Sequence, residues 1–390
     1  MTATAELIRP ETPAEQERHA SYLELFFDLV FVFAITQVTA LALDDSSAGG
    51  LARAALVLGL LWWTWGGYAW LTNAIDVENV AARGLVMIAM AGTFFMALAV
   101  PHAYDVDGAW FAVPYFAVRV LHVAIYTWGL RDDPDHQRAV KRLAPFFLVA
   151  PLIALGGGLV EDETLRTWIW VGSLALDLFG ALTVGSAGFR VSAAHFAERY
   201  GLFVIIALGE SIVAIGVGAT GIPHDLTFAV AVVIAFAGVV ALWWSHFDFS
   251  AVAAERALRR ADPVRRAPLA RDVYSYFHYP AILGIVFYAV AAEKTVAHPE
   301  EPLSEGGRAA LGLGIALFLM TATLGRFRVI RRIAWERLAG AAAAIGAVLL
   351  FADLDAMWLL ALVVALLAAV TVAESARLRE IRGRLRAEAD

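Results

Sequence analysis

From about residue 22 onward the chain is a succession of apolar stretches, each close to twenty residues long and separated from the next by a short polar break. They lie near 22–43, 51–71, 83–102, 108–130, 143–160, 166–189, 199–220, 226–246, 274–293, 308–325, 336–352 and 356–373. As helices, most of these could cross a hydrocarbon core of ~30 Å, which needs about 20 residues at 1.5 Å rise each. Lipid offers the backbone no hydrogen bonds, so a chain with many such stretches must satisfy its amides within each segment. The sequence therefore predicts an all-α, polytopic integral membrane protein with about twelve transmembrane helices. The fifth stretch, with Pro145, Pro151 and Gly156-Gly157-Gly158, and the last pair, parted only by Asp353-Leu354-Asp355, are the least regular.

Composition excludes a soluble alternative: 60% of the 390 residues are hydrophobic and 17% charged, against roughly 25% charged in soluble domains. With no cysteine, disulfides, thiolate metal sites and cysteine nucleophiles are all excluded. Residues 1–21 are polar and acidic, unlike the basic start and short apolar core of a signal peptide, so the first span is expected to be retained.

Basic residues set the expected orientation. With the amino terminus in the cytoplasm, roughly 25 Lys and Arg fall on the cytoplasmic side and about 4 outside. The cytoplasmic segments run from Arg131 to Arg142, from Arg256 to Arg271 and from Arg326 to Arg337, followed by a basic tail. The external loops carry Asp44-Asp45, Asp105 and Asp107, Glu161-Asp162-Glu163 and Glu300-Glu301. This predicts a multi-pass protein of the bacterial inner (plasma) membrane with both termini cytoplasmic. The basic tail beside a span suits anionic lipid rather than nucleic acid, so the bilayer is the expected partner; nothing in the sequence sets an oligomeric state.

Two echoes suggest duplication. Helix starts rich in acid occur at Glu24-Leu25-Phe26-Phe27-Asp28 and at Glu198-Arg199-Tyr200-Gly201-Leu202-Phe203, and Trp-Trp pairs close the following helices at Trp62-Trp63 and Trp243-Trp244. The order and spacing predict two parallel six-helix repeats, 1–190 and 191–376, with a basic cytoplasmic tail at 377–390.

Charges inside the spans are the candidates for function, because a carboxylate or guanidinium at membrane depth is costly unless paired, protonated or facing water. Arg119, Asp177 and Glu210 each lie about eleven residues from a span end, hence about 16 Å deep and near the bilayer middle. Arg119 is expected to pair with Glu210 or Asp177. These residues read either as a static ion-pair cluster, a weak source of stability once desolvation is counted, or as a proton or substrate site. His122, three residues after Arg119, shares its face and can relay protons or simply hydrogen-bond in the bundle.

Glu24 and Asp28 are four apart on one face of the first helix, Asp28 about 10 Å below the surface. Their like charges suit a shared proton at the mouth of a cation pathway, while helix-start chemistry accounts for Glu24 equally well. His19 and His195 precede their helices and are expected to cap them or face headgroups. His246 and Asp248 are expected at the interface, and His278 either there or on a polar path. Thr36, Gln37, Asn73 and Ser211 could add neutral ligands.

The stretches ELFFDLVFVFAITQ (24–37) and ERYGLFVIIALGESIVAIG (198–216), with the later Tyr276-Phe277-His278-Tyr279-Pro280 and Gly284, closely resemble the bacterial low-temperature-requirement A family. The resemblance spans residues of roughly 19 to 330. It implies a polytopic inner-membrane protein and leaves the activity open, since the family's name describes a growth phenotype.

Signatures of zinc proteases, serine hydrolases, phosphate-binding loops and dinucleotide folds are absent from the sequence, so no enzyme activity, cofactor or metal is expected. The residues point to a membrane transport protein that moves a small ion or solute, proton-coupled through Asp28, Asp177 and Glu210 with Arg119 as counter-charge. A membrane-embedded enzyme, or a non-transporting envelope protein for cold or stress adaptation, is the rival.

Overall fold

Short acidic or polar residues start many of the helices. Asn79, Asp133, Asp162, Asp225, Asp262 and Ser304 each accept hydrogen bonds from backbone N–H groups of the first turn they precede, which satisfies donors that have no partner within the helix. In this computed structural model, residues 19–75, 79–186 and 188–377 are described. Beyond Arg377, the basic tail lies outside the described residues.

The helices, in order, are α1 (Tyr22–Asp44), α2 (Ala48–Ala74), α3 (Val80–Ala99), α4 (Gly108–Gly129), α5 (Pro134–Gly158), α6 (Glu163–Val184) and α7 (Ala193–Gly218). There follow α8 (Leu226–Ser245), α9 (Ala251–Arg260), α10 (Pro263–Ala270), α11 (His278–Ala297), α12 (Glu305–Ile330), α13 (Trp335–Leu350) and α14 (Ala356–Arg377). Wider π-helical turns join α8 to α9 (His246–Ser250) and α10 to α11 (Arg271–Tyr276). Among the described residues no β-strand forms, apart from one isolated bridge between Pro302 and Asp355.

The protein is an all-α polytopic membrane protein. Among the described residues, eleven helical segments are long and apolar enough to span a bilayer, and large apolar side chains such as Ile88, Phe95, Phe179 and Leu350 remain exposed on their helices, as suits a lipid-facing surface. The twelfth expected span, near 336–352, forms α13, whose 16 residues reach only about 24 Å and fall short of the ~30 Å core. The basic segment after Arg256 is helical: α9 and α10 are short helices of 10 and 8 residues that bury Leu258, Ala267 and Leu269.

Contacts divide the chain into two units that interleave in sequence. The first contains residues up to 41, 52–203 and 258–275; the second contains 42–51, 204–257 and 276 onward. In the first, α3, α4, α5 and α6 pack in succession. At the α4–α5 contact, a Cβ added to Gly158 would stand 2.3 Å from the Cβ of Ala112, whereas one added to Gly156 would meet nothing. Of the glycine triplet in α5, then, the carboxyl end is held to glycine by packing. In the second unit, α11 and α12 cross at Gly284 and Gly314. A Cβ on Gly284 would lie 2.5 Å from the carbonyl oxygen of Gly314, and one on Gly314 would lie 2.8 Å from that of Gly284. Small residues thus set how closely these helices approach.

Candidate functional site

The first unit contains a buried network assembled from α1, α2 and α7. It begins at Ser21 and Glu24, which form a capping box: Glu24 N–H donates to Ser21 Oγ at 3.3 Å, while Glu24 Oε2 accepts from Ser21 N–H and from its hydroxyl, each at 2.9 Å. One turn on, Asp28 shares the helix face. Arg199 of α7 spans both carboxylates, with Nη1 2.8 Å from Glu24 Oε1 and Nη2 2.7 Å from Asp28 Oδ1. His195, one turn before Arg199, places Nε2 3.0 Å from Glu24 Oε2.

Neutral groups complete the shell. The Trp65 indole N–H donates to Asp28 Oδ1 at 2.8 Å, and Arg199 Nη1 also donates to Thr72 Oγ1 at 3.3 Å. Asn73 Nδ2 donates to His195 Nδ1 at 3.0 Å, and Asn73 Oδ1 accepts from the Ser192 N–H at 3.1 Å. This assigns the His195 proton to Nε2, facing Glu24, in a neutral imidazole. Two carboxylates, one guanidinium and a neutral imidazole leave a surplus of one negative charge. Asp28 Oδ2 has no hydrogen-bond partner. Glu24, Asp28, His195 and Arg199 are each no more than 2% exposed, so the network is sealed from bulk solvent.

The geometry changes two sequence expectations. Glu24 and Asp28 are neighbours on one face as predicted, yet they do not confront each other as a bare like-charge pair, because Arg199 lies across both. His195, expected to cap a helix or face headgroups, is fully buried and bonded to Glu24. Helix-start chemistry at Glu24 is also present, through Ser21.

A second constellation joins α2, α4 and α6. Arg119 Nη2 donates to both oxygens of Asp177, at 2.9 and 3.0 Å, and Nη1 donates to the Trp63 carbonyl at 3.4 Å. The guanidinium carbon stands 5.0 Å from the centre of the Phe147 ring, a cation–π distance. Of the two carboxylates expected as its partner, Arg119 takes Asp177. His122, one turn on, places Nε2 3.0 Å from the carbonyl of Gly67, which puts the proton on Nε2 and leaves Nδ1 as an acceptor without a partner.

Arg119 and His122 line a cavity of about 90 Å³ whose walls include Trp62, Trp63, Trp70, Phe147 and Phe189. An aromatic layer connects it to the first network, since the Trp62 and Trp65 ring centres are 5.1 Å apart and Trp65 bonds Asp28. Trp62 and Trp70 are oriented by Ser275, whose carbonyl and hydroxyl accept their indole N–H groups at 2.8 Å.

In the second unit Glu210 is 2% exposed, and the charge of Glu293 acts on it from α11. His278 and His246 face each other with ring centres 5.5 Å apart. The residues that the sequence did not single out here are Arg337 and Glu374, with Arg337 Nε 2.8 Å from Glu374 Oε2. Arg326 extends the cluster, at 3.2 Å from Glu374 and 3.0 Å from Glu336. Asp248 accepts from the Ser375 hydroxyl at 3.0 Å. Among the described residues no group of three or more His, Asp or Glu is placed to hold a metal.

His195 and Arg199 carry a signal that is legible in the sequence. They are four apart on one helix, as Glu24 and Asp28 are on another, so a basic pair and an acidic pair share one spacing and can meet in register. A family model described as "Bacterial low temperature requirement A protein (LtrA)" matches residues 19–372. An uncharacterized protein of Rhizobium meliloti (strain 1021) is 33% identical over 332 residues, covering 80% of this chain and 78% of the relative. The family match spans both constellations of the first unit, and neither comparison assigns a reaction.

Proposed function

Starting from the fact that the chain belongs to the bacterial low temperature requirement A family, we propose that it is a transport protein of the inner membrane, moving a small ion or solute together with protons. The observation that carries this reading is the surplus negative charge of the Glu24–Asp28–Arg199–His195 network, combined with an Asp28 oxygen that has no partner. One proton neutralises the network, and a buried group that can accept a proton without rearranging its neighbours is what coupling requires. The aromatic cavity one indole layer away supplies a place for solute beside that proton site. Arg119, paired with Asp177 behind it, forms part of the cavity wall, and Glu210 with Glu293 is a further pair of acids in the second unit.

The bias of basic residues supports cytoplasmic termini in this reading. Reporter fusions test it: a fusion at Glu161 should report an external position and one at the carboxyl terminus a cytoplasmic position.

Vesicles reconstituted with the protein and loaded with a pH-sensitive dye test transport directly. Wild-type protein should dissipate an imposed pH gradient faster than empty vesicles do. Asp28→Asn keeps the shape of the side chain and removes the surplus charge. It should insert and fold but lose the flux, as should Glu210→Gln if the second unit shares in coupling. Wild-type flux in Asp28→Asn would refute a protonatable role for the network.

A further inference from the structure

The corner between α12 and α13, in the second unit, sets positive charge beside exposed apolar surface. The two helices pack antiparallel, and close contacts fix their register. A Cβ on Gly312 would stand 2.6 Å from Cγ2 of Val348, and one on Gly340 would stand 3.2 Å from Cδ1 of Leu319. At the far end from the corner, the Ala356 and Met357 N–H groups donate to the Glu301 and Pro299 carbonyls at 2.9 and 3.1 Å. This register sets Trp335, the first residue of α13, level with about residue 325, so the end of α12 stands clear of α13 by roughly 9 Å along its axis. With 26 residues, α12 is about 39 Å long, enough to cross the ~30 Å core and carry its end into the headgroup layer. The start of α13 lies below that level, nearer the hydrocarbon.

The step so formed is amphipathic. Phe327, Ile330, Ile333 and Trp335 are all exposed on it, and Arg331 and Arg332 are exposed between them. Among the described residues Arg331 is the one non-glycine residue with a positive φ. Its angles, φ 56° and ψ 29°, are those glycine adopts without penalty and an arginine does not. The Arg331 N–H closes α12 by donating to the Phe327 carbonyl at 2.9 Å. Its guanidinium carbon stands 5.5 Å from the centre of the Phe327 ring, a cation–π distance. The left-handed turn therefore holds a cation over an aromatic face at headgroup level.

The charge of this corner is not balanced by protein. Among the described residues neither Arg331 nor Arg332 is ion-paired, because the neighbouring acids are already engaged. Glu336 is held by Arg326 and Arg377, and Glu374 by Arg326 and Arg337. Two guanidinium groups beside a membrane attract anionic headgroups, and the apolar side chains beneath them suit the glycerol and acyl part of the same molecule. A free anion would leave that apolar surface unused, and a zwitterionic headgroup would bring its own ammonium against the two cations.

We propose that the α12–α13 corner is a binding site for one anionic glycerophospholipid. The lipid phosphate engages Arg331 and Arg332, and its acyl chains descend past Ile333 and Trp335 along the lower start of α13. This site is separate from the buried networks of the first unit and does not depend on transport: a protein that moves no solute can still hold this lipid.

Native mass spectrometry of the full-length protein in a neutral detergent, titrated with phosphatidylglycerol or phosphatidylcholine, tests the proposal. The first phosphatidylglycerol should bind at least tenfold more tightly than phosphatidylcholine. Arg331→Gly combined with Arg332→Gln should weaken phosphatidylglycerol binding about tenfold and leave phosphatidylcholine binding unchanged. Arg331→Gly alone removes one cation and eases the left-handed turn. It should weaken phosphatidylglycerol binding about threefold while its melting temperature in phosphatidylcholine nanodiscs stays at or above that of the wild type, a combination that a merely structural role for Arg331 would not produce. Arg265→Gln, which removes an exposed arginine of α10, should leave lipid binding unchanged. Equal binding of the two lipids, phosphatidylglycerol binding unchanged in the Arg331 variants, an equal loss in Arg265→Gln, or displacement of the lipid by an equal concentration of inorganic phosphate would each overturn the proposal.

Discussion

Arg119 holds Asp177 through one nitrogen: Nη2 reaches both carboxylate oxygens, at 2.9 and 3.0 Å. The two parallel N–H···O bonds of a fork-to-fork pair are therefore absent here, and the contact is that of a point charge. A lysine ammonium can make the same kind of contact. Arg119→Lys should accordingly fold, with a modest fall in melting temperature in detergent, whereas Arg119→Ala leaves a buried carboxylate without its counter-charge and should cost on the order of 3–5 kcal/mol. Equal losses in the two variants would contradict the single-nitrogen reading.

Arg199 predicts the opposite outcome. It uses Nη1 for Glu24 and Nη2 for Asp28, so one ammonium cannot hold both acids in the same geometry. Arg199→Lys should destabilise the protein nearly as much as Arg199→Ala, about 3 kcal/mol or more. Thermal unfolding of the two variants beside the Arg119 pair makes the comparison within one protein.

Gly284 predicts a packing effect free of charge. A Cβ there would fall 2.5 Å from a backbone oxygen of the facing helix, and backbone cannot swing aside as a flexible side chain can. Gly284→Ala should destabilise by about 1–3 kcal/mol, while Gly346→Ala, where a Cβ meets nothing within 4 Å, should be close to neutral by the same melting assay.

Asp133 predicts a pH effect outside the spans. Its carboxyl is held below the usual aspartate range, chiefly by the hydrogen bond from His136 and then by backbone N–H groups of the turn it caps. His136 Nδ1 is 2.9 Å from Asp133 Oδ2, and the ring's Nε2 accepts from the Arg190 N–H at 3.3 Å. A carboxyl with a depressed folded pKa stabilises fully above its unfolded pKa, near 3.8, and loses that stabilisation as pH falls through the lower folded value. The melting advantage of wild type over Asp133→Asn should therefore be full near neutrality and shrink only in strong acid. An advantage that disappeared between pH 7 and 5 would refute this account of Asp133.

How far the sequence could be followed depended on the kind of interaction. Helix existence was legible because lipid leaves the backbone one local solution and the apolar runs mark it directly; only α13, cut to 16 residues before Phe351, fell short of a span. Pairing was legible where depth decides it: Arg119 and Asp177 come from different helices at one predicted depth and do meet. Partner choice was not, since depth alone left Glu210 equally eligible. Arg199 was hidden for another reason. It sits near a helix start beside Glu198 and Tyr200, where a basic residue ordinarily reaches interface or water, and only the three-dimensional meeting with α1 reveals that it is buried. The glycine contacts at Gly158 and Gly284 could be suspected from composition, but which glycine of a cluster is packed depends on which face the neighbouring helix covers.

Glu24 Oε2 carries two contacts of different range. It accepts from the Ser21 amide three residues away and stands 3.0 Å from His195, 171 positions further along the chain. The boundary of the first helix and the position of a distant imidazole are thus tied through one atom. Displacing this one oxygen would loosen both contacts together, so the first turn of α1 would begin to fray as the hold on His195 was lost. The exchange rate of a single amide hydrogen, that of Ser21, would then serve as a local gauge of whether α1 and α7 remain joined.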